Sequence, residues 1–227
     1  MFTSKKSKLY IALVALGVAF CSPQVMAFGL GDLTGGGKSN SASAGDPDAF
    51  LKSAQAAEAL MKGSLDHLSN SLLAKEKSAD FAAQRKAAND ITNSKEKDAK
   101  NLAIAKSEAA ALAEATNSAD LKDKINKMDS NQKGEVAASA FNFALALLQD
   151  KELSGQASGL ISSLSSNPMN IGKLGSIKDV ASSLSNQMSS GAQLATKMPT
   201  IFSAVGVSAP TSKDDKPKDV KATDGKE

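Results

Sequence analysis

The 227 residues carry a formal net charge of +3, one cysteine, one tyrosine and no tryptophan. The excess charge sits in Lys5, Lys6 and Lys8, and Arg85 is the only arginine, so the composition argues against a nucleic-acid partner, whose bidentate contacts favour arginine. With Cys21 the sole thiol and His67 the sole histidine, zinc sites of the usual kind and disulfides are excluded, and scarce aromatic residues argue against stacked carbohydrate or aromatic cages.

Residues 1–27 have the pattern of a cleaved secretory signal peptide. Three lysines precede an apolar run from Leu9 to Phe20, and Val25-Met26-Ala27 place small residues at −3 and −1 of a cleavage site before Phe28. That run is shorter than the roughly 20 residues of a spanning helix. A lipid anchor on Cys21 is disfavoured, because bulky Phe20 stands where a small residue is required. The expected location is periplasmic or secreted. Loss of this segment brings the formal charge to about zero.

Residues 28–45 read as a flexible Gly/Ser linker, residues 46–207 as one helical domain, and residues 208–227, rich in Pro, Lys and Asp, as a disordered charged tail. Alanine is abundant and β-branched alternation is absent, so the fold class is all-α: an up-and-down bundle of about four to six helices with thin, Ala-lined packing.

Asp46-Pro47-Asp48 forms a helix start. Phe50, Ala54, Ala57, Met61, Leu65, Leu68 and Leu72 follow at steps of three and four, one apolar stripe. Over 76–117 the stripe is interrupted: Phe81, Ala88 and Ile91 begin it, and Leu102, Ala105, Ala109 and Leu112 resume it. Either one helix has a polar waist near Lys95 and Asp98, or two helices meet at Asn93-Ser94, with a Glu96–Lys100 pair favouring continuity. Ser118 can cap a helix bearing Leu121, Ile125 and Met128. A polar break at 129–135 is expected next. Val136–Leu148 is apolar on nearly every face, as in the central helix of a bundle. Leu153, Ala157, Leu160 and Leu164 continue as a weaker helix that stops at Asn167-Pro168. Finally Ile177, Ala181, Leu184, Met188, Gly191, Ala195, Met198, Phe202 and Val205 form a heptad seam over 177–205, which Pro199 should kink or divide. The seam reads as the core face of a bundle helix or as a surface for a second copy or another protein.

Two segments resemble known motifs. Asp32–Ser39 (DLTGGGKS) resembles a phosphate-binding P-loop, but Asp32 stands where the first glycine belongs and no strand precedes it. Residues 129–141 resemble a calcium-binding EF-hand loop: Asp129, Asn131, Gly134 and Val136 match, while Lys133 and Ala140 replace oxygen ligands. Ser94/Lys97 and Ser130/Lys133 have S-x-x-K spacing without the accompanying acyl-transfer motifs. No catalytic, cofactor-binding or metal-binding residues are assigned. The expected function is that of an exported, non-enzymatic helical protein acting through protein contacts, as scaffold, adaptor or chaperone-like bundle. The alternative is an amphipathic protein of lipid or envelope surfaces, which the balanced charge and few aromatics disfavour.

Overall fold

A computed structural model describes residues 46–117, 120–166 and 171–220. The signal segment, the 28–45 linker, the P-loop-like run, Ser118 and Asn167-Pro168 lie outside them. The fold is all-α. Seven helices occupy the described residues: α1 (Pro47–Leu72), α2 (Lys75–Asn89), α3 (Ser94–Ala115), α4 (Asp120–Lys127), α5 (Ser130–Ser165), α6 (Ile171–Ala195) and α7 (Met198–Val205). That is one more than the upper end of the expected range.

Helix α1 begins as its sequence predicts. The Asp46 carboxylate accepts from the N–H groups of Asp48 and Ala49 at 2.9 and 3.3 Å, and Pro47 fills the first turn. All seven residues of its stripe are buried. They face α5, which runs antiparallel to α1: Phe50 shares a cluster with Leu160 and Leu164, and Leu68 shares another with Val136 and Phe143. A leucine so buried contributes roughly 1.5–3 kcal/mol relative to exposure.

The 76–117 segment is two helices. The Asn93 side chain accepts from the Glu96 N–H at 3.2 Å and starts α3, so the chain breaks at Asn93-Ser94 rather than running on as one helix. Phe81, Ala88, Ala109 and Leu112 are buried as predicted, whereas Ile91, Leu102 and Ala105 are only half-buried. Ile104 and Glu108 take the interior places on α3.

The expected break at 129–135 is instead the start of α5, a helix of 36 residues. Asp129 and Gln132 form a capping box, with N–H to side-chain distances of 2.8 and 3.1 Å. From Val136 to Ala146 only Ala144 is not fully buried, so neighbours cover this helix on every side; beyond Asp150 the buried face narrows to Leu153, Ala157, Leu160 and Leu164. Gly191 on α6 permits the closest approach to α5. A Cβ there would meet Leu147 at 3.1 Å and Phe143 at 3.3 Å.

The C-terminal seam divides after Ala195, and Pro199 lies in the first turn of α7. Its buried register differs from the expected one. Ile177, Leu184, Gly191 and Met198 face inward, but their inner companions are Gln187, Leu194 and Ile201, at steps of three. Ala181, Met188 and Ala195, at steps of four, are half-buried, as is Val205 seven residues after Met198, whereas Phe202 is buried as the seam predicts. Gly206, at φ 72°, closes α7 in the left-handed conformation that glycine adopts without strain.

After α7 the chain has no helix or strand through residue 220, yet part of it lies against α5. The Asn142 amide donates to the Lys218 carbonyl at 2.8 Å, and the Lys218 N–H donates back to the Asn142 Oδ1 at 2.7 Å. Gln149 donates to the Lys213 carbonyl, and the Lys218 ammonium sits 4.3 Å from the centroid of the Phe141 ring. Deleting residues 211–227 should therefore cost roughly 1–2 kcal/mol, since two amides lose their partners and Phe141 is uncovered. An unchanged urea midpoint, followed by circular dichroism, would contradict this.

The lone arginine is half-buried. Arg85 Nη1 donates to both carboxylate oxygens of Glu108 at 2.7 and 2.6 Å, and its Nη2 donates to Asp66, tying α2 to α3 and α1. Glu108 is 2% exposed. Arg85→Ala would strand that carboxylate and should cost about 3–5 kcal/mol. Arg85→Lys, with no planar fork, should recover only part of it. Comparable unfolding midpoints for wild type and Arg85→Ala would refute the assignment.

Candidate functional site

The apolar interior falls into two clusters. One joins the first half of α1, the last half of α5 and the first half of α6. The other holds the rest. The boundary is polar, marked by Asp150 on α5, between Ala146 and Leu153, and by Gln187 on α6, between Leu184 and Leu194.

Asp150 is 0% exposed, and neither carboxylate oxygen has a hydrogen-bond partner. Burial first, and the neighbouring Glu58 carboxylate second, push its pKa from 3.8 up to about 7. Its proton therefore bears on stability. The folded chain keeps that proton up to about pH 7, while the unfolded chain releases it near 3.8. Between these limits the folded state binds more protons, so stability falls as pH rises, by at most about 1.4 kcal/mol per pH unit for one group. Asp150→Asn should thus gain on the wild type progressively from pH 5 to pH 8. Identical stability differences at both pH values, from urea titrations, would be inconsistent with a buried acid here.

Gln187 is 8% exposed. Its Nε2 donates to Ser183 Oγ at 3.1 Å, and its Oε1 is buried without a partner. It lines a cleft of about 320 Å³ between α1, α3 and α6. Met61, Leu65, Leu102 and Leu184 give the cleft apolar walls, and Glu58, Asp98 and Asp179 supply three carboxylates against Lys62. Lys62 already pairs with Glu58 at 2.5 Å, whereas Asp98 and Asp179 have no ion-pair partner among the described residues. The half-burial of Leu102 and Ala105 has its explanation here, because both line this cleft.

The motifs singled out by sequence go elsewhere. Residues 130–141 are helical, so Asp129 and Asn131 sit at a helix start rather than in a chelating loop. Among the described residues no group of three or more His, Cys, Asp or Glu is placed to hold a metal. Lys97 and Lys133 do not serve Ser94 and Ser130. They donate to the carbonyls of Asn89 and Asn126, at the ends of α2 and α4. His67 is half-buried on α1. Sequence reasoning missed Asp150, Gln187 and Glu108. Position 150 falls on the α5 face that carries Leu153 and Ala157, a signal that could have exposed it.

No protein-family model, curated protein or solved structure matches the chain. No helix among the described residues is long and apolar enough to cross a membrane.

Proposed function

We propose that the protein is an exported, non-enzymatic helical bundle that works through protein–protein contacts in the bacterial envelope, as a scaffold, adaptor or chaperone-like component. Export rests on the signal-like residues 1–27. The observation that carries the contact reading is the divided use of the 177–205 seam. One flank is consumed by the chain's own core, while Ala181, Met188 and Ala195 keep a half-exposed apolar line along α6. Small residues and a flexible methionine suit a helix-on-helix contact with a second copy or another protein. A heptad stripe left partly open in the monomer has a natural use in such a contact.

The test is size-exclusion chromatography with light scattering on residues 28–227, detected by refractive index because Tyr10 is absent from that segment and there is no tryptophan. Self-association that weakens severalfold in Met188→Glu is expected. A monomer at every concentration, together with no cross-linked partner through position 188, would remove the basis of the proposal. Co-elution with lipid vesicles would point instead to the surface-binding alternative.

A further inference from the structure

Helices α1, α5 and α6 run through both apolar clusters, and each carries a polar group where the clusters meet. On α1 that group is Glu58, between Ala57 of the smaller cluster and Met61 of the larger. On α5 it is Asp150, and on α6 it is Gln187. Asp150 is fully buried with both oxygens unpartnered, and Gln187 Oε1 is buried without a partner as well. The interior is thus continuous within each half and interrupted between them, the condition for two cooperative units.

The charged groups around Asp150 leave its anion without a counter-ion. Glu58 has the same sign, and the lysine beside it, Lys62, is taken up by Glu58 itself at 2.5 Å. Helix α6 has no charged residue between Asp179 and Lys197, and α7 has none. Lys151 and Glu152, next to Asp150 on α5, are exposed. Lys213 of the C-terminal chain meets Gln149 through its carbonyl, and its ammonium pairs with Asp214. A carboxylate formed at position 150 is therefore relieved by water, and water reaches it when the helices part at this boundary.

The two halves resist parting unequally. The smaller cluster has nine buried residues, three of them alanine. Among the described residues, the polar tie between its helices is the exposed Lys173–Asp48 pair at 2.6 Å, of a kind that adds little. The larger cluster has 23 buried residues, and its half also holds the Arg85 network, the Lys124 caps on α1 and the Asn142–Lys218 pairing.

We propose that the bundle opens in two stages as pH rises. The half built on Phe50, Leu153, Leu160 and Ile177 parts first, hinged where Glu58, Asp150 and Gln187 meet, while the larger half stays folded.

The test is hydrogen exchange of the full chain by mass spectrometry at pH 5 and pH 8, corrected for intrinsic rates, with and without low urea. At pH 8 the amides of residues 47–58, 153–165 and 172–184 are expected to be at least tenfold less protected than those of 61–72, 104–112 and 136–146. They should also respond less to urea, the mark of a partial opening. Between pH 5 and pH 8 their protection should fall at least tenfold. In Asp150→Asn that fall should vanish, which separates Asp150 from His67, the histidine of the larger half. Equal protection and equal urea response in both halves at pH 8, faster exchange in the larger half, or a smaller fall in the wild type would overturn the proposal. So would a fall that persists in a folded Asp150→Asn. The wild-type readouts decide even where the variant does not fold, and none of them depends on a partner.

Discussion

Everything else in this bundle follows from the first half of α5. A helix buried on all sides between Val136 and Ala146 has no face left for water, so neighbours must surround it. Helices α1, α6 and α7 and the chain after residue 211 supply that cover. The chain is poor in large apolar residues, so the cover must come close. Alanines at 137, 138, 140 and 146 and the glycine at 191 are what permit it. Close approach also explains why the interior polar groups are few and specific. Where α5 leaves its fully buried stretch, the apolar interior is interrupted at Asp150 and Gln187, and the cleft opens beside Gln187.

Local signals in the sequence were most reliable where one element answers to one face. The α1 stripe was fully legible, because one neighbour, α5, dominates its packing and its cap is three residues long. The central character of Val136–Leu148 was legible for the opposite reason, the absence of any polar face. The polar run 129–135 misled, because Asp, Asn, Gln and Gly suit a turn and a helix start equally. The capping box between Asp129 and Gln132 decides for the helix. The seam on α6 misled by one residue per heptad. At 180/181 and 194/195 both choices are apolar, and at 187/188 the position of α5 and α3 seats the polar Gln187 inside and leaves Met188 half-exposed. Glu108 was illegible as a core residue, since its burial depends on Arg85, 23 positions away.

The lysines show how a chain with few core residues closes its helix ends. Lys124 donates to the carbonyls of Leu72 and Leu73 at 3.0 and 3.1 Å, finishing α1 from α4. Lys97 does the same for α2 and Lys133 for α4. Each ammonium meets the negative end of a helix dipole and satisfies a carbonyl that the helix itself cannot. Part of the surface charge is thus structural punctuation, and the lysines of both S-x-x-K spacings belong to it.

The pairing of Asn142 with Lys218 spans 76 residues of chain. Whether the polypeptide emerges from a ribosome or threads through a pore, it arrives in order, and Asn142 must wait for its partner until 76 further residues have appeared. Until residue 218 arrives, the most enclosed helix of the bundle keeps one side open to water. The fold is therefore sealed by its late-made residues, and a chain halted short of them is an unfinished one.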